Sequence, residues 1–261
     1  MCGIAGFCNY SSTLTLGKLK TMTDILSYRG PDDAGYKFIE LKNCNVGLGH
    51  RRLSILDLTT NGHQPYSYKN LVLVYNGEVY NFKEIRKELI SLNYKFKSNG
   101  DTEVIVKAFH KWGIKCVDKF IGMFAFTIFD KNLNKLYIFR DRTGVKPLFY
   151  YLNGETLLFA SELKSFMSLK EFKKDIDKTA LMLYFKYGYI PSPYSIFKDT
   201  HKLEAGHYIE FDIETKEFKK TKYWDVADFY NKPKLNISFN KASKKLEKLL
   251  ISAFNYRTIS D

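Results

Sequence analysis

Met1-Cys2-Gly3-Ile4-Ala5-Gly6 is the stretch from which the rest of the chain is read. A cysteine in second place becomes the first residue once the initiator methionine is removed. One residue then carries both a thiol and a free α-amine. Such an amine has an ordinary pKa of about 7.7–8.0, so part of it is neutral near pH 7. A neutral amine can take the thiol proton and leave a thiolate, the form that attacks carbonyls. Gly3 and Gly6 let the backbone turn and approach other groups closely. Taken by itself the stretch is better read as a small buried cysteine near a chain start. The residues downstream reverse that.

The chain has 261 residues, which suits one large domain or one domain plus part of another. Its 45% of hydrophobic residues is enough for a sizeable core. No apolar run is long enough to cross a membrane, and no basic region followed by an apolar one marks a signal peptide. Cys2, Cys8, Cys44 and Cys116 form no CxxC pair and no zinc-ligand spacing, and the histidines form no HxxxH pair. No metal site is expected, and reduced cysteines fit a cytoplasmic protein. The net charge of +13 raises the question of nucleic acid, but the lysines are spread along the chain and no nucleic-acid motif accompanies them. Neither a nucleic-acid nor a membrane partner is expected.

Outward from the first stretch, Ile4 to Cys8 reads as a buried strand. Leu16 to Tyr28 reads as a helix with Leu19, Met22, Ile25 and Leu26 on its inner face, stopped at Arg29-Gly30-Pro31. Two strands follow, 35–41 and 45–53, then a polar loop to Leu71. Leu71 to Tyr75 is a buried strand running into Asn76-Gly77, which reads as a turn. Helices are expected from about Asn81 to Leu92 and from Asp101 to about Trp112, with Asp101 as N-cap. Strands at 123–130, 136–140, 148–152 and 157–160 come next, then one or two helical turns over 161–167. A helix over 178–187 and a late hairpin at 207–212 and 219–223 complete this part. Strands in hairpin order with helices grouped between them predict an α+β fold with antiparallel sheets. Beyond a linker near Pro233, Leu246, Leu249, Leu250, Ala253 and Phe254 follow i, i+3, i+4, i+7, i+8 spacing, an amphipathic helix starting after Asn240. That helix either opens a second domain or folds back on the first.

A cysteine that attacks an amide needs donors for the oxyanion of the tetrahedral intermediate and polar groups that hold the substrate. Asn76-Gly77-Glu78 offers a side-chain amide and a backbone N–H free of Cβ hindrance. Arg52 suits bidentate binding of a carboxylate, and Asp101 suits an ammonium. Singly, each has a plainer reading as turn, strand or cap residue.

Together they resemble the class II glutamine amidotransferases and, within them, the glutamine-hydrolysing asparagine synthetases. The resemblance runs through Met1-Cys2-Gly3-Ile4, Arg29-Gly30-Pro31-Asp32, Gly49-His50-Arg51-Arg52-Leu53-Ser54-Ile55 and Tyr75-Asn76-Gly77-Glu78-Val79-Tyr80-Asn81. It continues through Gly122-Met123-Phe124-Ala125-Phe126, the 140–148 segment from Arg140-Asp141 to Pro147-Leu148, and Ala160-Ser161-Glu162-Leu163-Lys164. It implies the four-layer αββα sandwich of N-terminal nucleophile hydrolases. It also implies that Cys2 is the nucleophile with its own amine as base, and that the Asn76 side chain and the Gly77 N–H form the oxyanion hole. Arg52 would bind the α-carboxylate of glutamine, and Glu78 and Asp101 its α-amino group, with backbone help near Ile55. Arg29 and Met123 match positions that line the path of ammonia.

In that family the chain continues past Ser260-Asp261 into a synthetase domain that opens with a Ser-Gly-Gly-Xaa-Asp-Ser loop for ATP. No such loop occurs here. The expected organisation is a glutaminase domain over 1–225, then a linker and the first helix of an otherwise absent synthetase domain over 226–261. No cofactor is expected in this chain, ATP and Mg belonging with the missing half. The partners implied are glutamine and a synthetase domain in cis or trans, and a homodimer is allowed. Two other readings stay open: the glutaminase part of an amidotransferase that modifies surface-polysaccharide sugars, to which Tyr189-Ile190-Pro191-Ser192-Pro193 is similar, and a catalytically silent regulatory domain.

Overall fold

The computed structural model describes residues 1–258. Ser260 and Asp261, where the resemblance places the continuation of the chain, lie outside the described residues. The first part of the chain runs β1 (Gly3–Asn9), α1 (Leu16–Asp24), β2 (Asp33–Glu40), β3 (Asn45–Arg52), β4 (Tyr66–Tyr68) and β5 (Leu71–Val79). Three helices follow, α2 (Phe82–Ser91), α3 (Thr102–Trp112) and α4 (Cys116–Lys119), then β6 (Gly122–Asp130), β7 (Lys135–Arg140), β8 (Phe149–Leu152) and β9 (Thr156–Ala160). The remainder is α5 (Leu163–Met167), α6 (Lys178–Tyr187), β10 (Thr200–Lys202), β11 (His207–Asp212), β12 (Phe218–Lys222), α7 (Ala227–Tyr230) and α8 (Phe239–Arg257).

Among the described residues the strands form two six-stranded sheets, ordered β10-β8-β9-β1-β3-β2 and β12-β11-β7-β6-β5-β4, with antiparallel pairing throughout. Strand residues alternate between faces, and the alternation separates three cores. Ile4 and Cys8 of β1 meet Val72 and Val74 of β5 and Ile138 of β7 between the sheets. Ala5 and Phe7 turn the other way, onto Leu19, Met22 and Leu26 of the α1 segment. Leu71, Leu73 and Tyr75 turn from β5 onto Ile85 and Leu89 of α2 and Val104 and Ile105 of α3. The result is the expected α+β sandwich of four layers, αββα.

Several local expectations are corrected. The first helix ends at Asp24, not Tyr28: Leu26, Ser27 and Arg29 donate to the carbonyls three residues back, of Thr23, Asp24 and Leu26. That tighter winding turns Ile25 outward while Leu26 stays buried. Asn76-Gly77 is no turn; β5 runs straight through it and pairs Asn76 with Ala125 and Gly77 with Phe124. The local turn preference loses to long-range pairing with β6. The polar stretch before Leu71 hides β4, an edge strand of three residues, and β10 is equally short. In α8, Leu246, Leu249, Leu250 and Phe254 are each more than half exposed. Its last turn meets the sandwich: the Tyr256 hydroxyl donates to Glu84 Oε1 at 3.1 Å, and the Arg257 guanidinium lies 5.1 Å from the centre of the Tyr80 ring.

Candidate active site

The register of β1 on β3 pairs Gly3 with Arg51, so Cys2 sits opposite Arg52 at the end of the ladder. The half-buried thiol is bracketed by Leu53: its Sγ accepts from the Leu53 N–H at 3.3 Å and donates to the Leu53 carbonyl at 3.5 Å. Arg29 Nε donates to the Cys2 carbonyl at 3.0 Å, and Arg29 is itself held by Glu162 at 2.7 Å. Gly3 has no room for a side chain, because a Cβ there would lie 2.9 Å from Leu26 Cβ. The nucleophile candidate is thus fixed through its backbone while its sulfur stays open to a cavity.

That cavity holds about 320 Å³ and lies between the two sheets' ends. Cys2 lines it from just before β1; Asn76, Gly77 and Glu78 line it from β5; Arg52 and Ile55 line it from β3 and the loop after it. Asp101, Met123 and Lys146 also line it. Of the residues singled out from sequence, Cys2, Arg52, Ile55, Asn76, Gly77, Glu78, Asp101 and Met123 are therefore brought together. Arg29 stands apart from the lining and reaches the site only through the Cys2 carbonyl.

Asn76 carries the most telling feature. Its Nδ2 is fully buried and has no hydrogen-bond partner among the described residues. Leaving such a donor unpaired costs about 1–3 kcal/mol, and folded proteins rarely do so. Gly77 beside it has a φ of 155°, and a Cβ there would lie 2.2 Å from the Met123 carbonyl oxygen. Only glycine fits where β5 passes this close to β6.

Arg52 is buried, and its guanidinium donates to the carbonyls of Thr59 at 3.1 Å, Leu56 at 3.2 Å and Asp57. These bonds tie the 53–62 loop to β3, and Gly62 gives the guanidinium room, since a Cβ there would meet Nη2 at 2.1 Å. Asp101 stands at the N-cap position of α3 but caps nothing. Its Oδ2 instead accepts from the Tyr75 hydroxyl at 2.6 Å and from the Val79 N–H at 2.9 Å.

Burial dominates the electrostatics. It pushes the Cys2 thiol up, against the Leu53 hydrogen bond, which favours the thiolate. It pushes the α-amine at Met1 down, towards the neutral form. It raises Asp101 to about 6 despite the two hydrogen bonds, and raises Glu78 against the pull of Lys146. His50, fully buried, is lowered to about 3 and is neutral; its Nε2–H donates to the Tyr75 carbonyl at 3.0 Å, tying one sheet to the other just behind the cavity.

Sequence reasoning missed four residues. Gln64 accepts from the Tyr75 N–H at 2.7 Å and lines the cavity. Tyr75 positions Asp101. Asp141 is fully buried and gathers the N–H groups of Phe124, Thr143, Val145 and Lys146 at 3.0–3.2 Å, which shapes the loop that delivers Lys146. Lys146 lines the cavity and is 5% exposed. The signal available for these two was an Asp-Arg-Thr-Gly turn segment, whose acidic residue suits loop capping. Among the described residues no three of His, Cys, Asp and Glu gather in a way that could hold a metal ion. No helix among them is long and apolar enough to cross a membrane.

The fold defines a class: two facing antiparallel sheets with helices on their outer sides, the αββα sandwich shared with solved amidotransferase structures. The chain belongs to the glutamine amidotransferase domain family, whose model matches residues 1–224. A protein of Methanocaldococcus jannaschii, provisionally named a second glutamine-hydrolysing asparagine synthetase, is 40% identical over 282 residues, 100% of this chain and 53% of that relative. Asparagine synthetase (glutamine-hydrolysing) 2 of Bacillus subtilis is 42% identical over 239 residues, 87% of this chain and 31% of the relative. The chain thus spans about half or less of these relatives' length. Among solved structures, glutamine phosphoribosylpyrophosphate amidotransferase from B. subtilis superposes with a TM-score of 0.59 at 18% identity, covering 85% of this chain and 49% of the other.

Proposed function

We propose that Cys2, freed of Met1, hydrolyses glutamine to glutamate and ammonia. The α-amine of Cys2 takes the thiol proton, and Sγ attacks the side-chain amide carbon. The Asn76 Nδ2 and the Gly77 N–H receive the oxyanion. As the C–N bond breaks, the proton held by the amine passes to the departing ammonia and a thioester remains. Water, deprotonated by the same amine, hydrolyses the thioester to glutamate and restores the thiol. Arg52 receives the α-carboxylate of glutamine. Glu78 and Asp101 receive its α-ammonium, with the backbone near Ile55 closing that end. Met123 in the cavity wall, and Arg29 behind Cys2, stand where ammonia leaves.

The observation that carries this reading is the buried, unpartnered Nδ2 of Asn76 in the cavity that Cys2 opens onto. A preorganised donor without a resting partner is what a transient oxyanion requires.

The ammonia serves ATP-dependent conversion of aspartate to asparagine by a synthetase half supplied in cis or trans. Support comes from the names of the M. jannaschii and B. subtilis relatives and from their extra length. The family match ending at residue 224 supports a glutaminase unit over about 1–225, with 226–261 leading into the other half. ATP and Mg belong to that half. The four free cysteines fit a cytoplasmic setting. The test is ammonia release from glutamine by the chain and its Cys2→Ala variant. Ammonia from the first, none from the second, and no asparagine from ATP and aspartate is the expected result. Equal release by both would overturn the assignment.

A further inference from the structure

We propose that Asp57 is a positioning residue that sets the distance between Arg52 and Asp101, and so selects a ligand with an anion and a cation on one carbon; its use for glutamine rests on the glutaminase reading above. Arg52 ends β3 in one sheet, while Asp101 is held by Tyr75 and Val79 of β5 in the other. Strand pairing fixes distances within a sheet, not between two. An α-amino acid presents its carboxylate and its ammonium from a single carbon, so the groups that receive them must keep one separation. A misplacement of about 1 Å at such a pair can cost a hundredfold.

Asp57 touches both sides of this gap. Its carbonyl accepts from the Arg52 guanidinium. Its carboxylate crosses to the segment before α3, where Oδ2 accepts from the Asn99 N–H at 2.8 Å, two residues before Asp101. The chains pack closely there as well, since a Cβ on Gly100 would lie 3.4 Å from Asp57 Cβ. The other carboxylate oxygen, Oδ1, accepts from the Thr59 N–H at 3.1 Å and from the Thr59 hydroxyl, and the Thr59 carbonyl accepts in turn from Arg52 at 3.1 Å. The segment that Asp57 grips is itself anchored to its helix: the Lys97 and Ser98 N–H groups donate to Glu103 Oε2 at 2.9 Å and 2.7 Å. Asp57 is 6% exposed and stands behind the cavity wall, not on it. Its φ of 53° is left-handed, a conformation that the short side chains of Asp and Asn tolerate better than most. Aspartate thus meets two demands at once, turning the loop onto Arg52 and reaching across to the start of α3.

The test compares glutamine with two one-handed amides: γ-aminobutyramide, which lacks the carboxylate, and glutaramate, which lacks the ammonium. Affinities are read by NMR titration of the full chain carrying Cys2→Ala, which leaves the ligands intact. Glutamine KM and kcat are measured with Cys2 in place. Asp57→Gly removes the carboxylate and keeps a left-handed backbone. Asp57→Asn, should the first fold poorly, keeps that backbone but leaves one acceptor oxygen where two served. Glutamine affinity is expected to fall about tenfold, the size of one lost charge-assisted hydrogen bond, with KM rising to match. The kcat should stay within about twofold. Affinity for either one-handed amide should change less than twofold, because each arm still works alone. Unchanged glutamine affinity overturns the proposal. Equal losses for all three ligands also overturn it, making Asp57 a general support of the fold, as does a fall in kcat at unchanged KM. A wild-type chain that releases no ammonia, while its Cys2→Ala form still loses the two-handed preference on substitution at 57, upholds the spacing role and overturns the glutaminase reading.

Discussion

Tyr75 and Asp101 are joined by a hydrogen bond of 2.6 Å from the phenol to Oδ2, and the same oxygen takes the Val79 N–H at 2.9 Å. One strand thus holds, from two residues four apart, the carboxylate at the start of the helix packed on it. Because both bonds end on one oxygen, asparagine at 101 can keep them while losing the charge.

Asp101→Asn therefore separates fold from charge. The Asp101 carboxyl, at about 6 in the fold against an ordinary 3.8, binds a proton more tightly folded than unfolded. The stability it contributes is fully present below about 4 and is lost as pH rises through about 6, a loss of about 3 kcal/mol. Asp101→Asn should gain stability relative to wild type as pH rises from 4 to 7, read by urea unfolding at several pH values. Its glutamine KM should rise at pH 7. In wild type, KM should rise as pH falls below about 6, where Asp101 takes up its proton. A stability difference that does not change with pH would refute the assigned ionisation.

His50 works in the opposite direction. Lowered to about 3 by burial, it stays neutral in the fold and takes a proton only on unfolding below its ordinary 6.5. The stability it contributes is present above 6.5 and is lost as pH falls. His50→Gln should unfold less steeply with acid between pH 6.5 and 4 than wild type, even where it starts less stable for want of the Tyr75 bond. Acid unfolding followed by circular dichroism checks the slope.

Gly77→Ala and Gly113→Ala form a matched pair. Both glycines have positive φ, 155° and 58°, but a Cβ at 77 would lie 2.2 Å from the Met123 carbonyl while at 113 it meets nothing within 4 Å. Gly113→Ala should cost about 1–3 kcal/mol, for a backbone conformation (φ 58°, ψ −142°) that side chains rarely adopt. Gly77→Ala should cost several kcal/mol or prevent folding, because the clash is with backbone. Thermal unfolding of the two variants decides, and equal losses would mean that β5 is not held against β6 as described.

Asn76→Ala should lower kcat about a hundred- to thousandfold with glutamine KM little changed. It should also leave the melting temperature within a few degrees of wild type, since it removes a buried donor that no group among the described residues satisfies. A large rise in KM at constant kcat would make Asn76 a ground-state contact.

The candidate site residues were legible in company: each has a plainer reading alone, but each sits in a run that resembles the family. Arg52 follows from the His50-Arg51-Arg52 run, and Asn76, Gly77 and Glu78 are consecutive. Their local structure was less legible. Asn76-Gly77 has the composition of a hairpin turn, yet Ala125 and Phe124 on β6 bind it into a strand, and that partner lies almost fifty residues away. Asp101 has the right type and place for an N-cap, yet Tyr75 outcompetes the helix for its carboxylate.

Lys146 and Asp141 were illegible for a different reason. A lysine after a Gly-containing turn reads as solvated, and nothing local shows that four backbone N–H groups converge on one buried carboxylate to turn that lysine inward. The strands β4 and β10, three residues each, were too short to show a period.

The account's central claim is that Cys2, as the first residue, is the group that attacks a glutamine-like carbonyl. Incubating the chain with a glutamine analogue bearing an electrophilic diazoketone in place of the amide, and then sequencing its peptides by mass, tests this directly. The account predicts a single adduct, on a peptide that begins at Cys2 and lacks Met1, with none on the buried Cys8, Cys44 or Cys116. An adduct on any of those three, or on Cys2 with Met1 still attached, would contradict it.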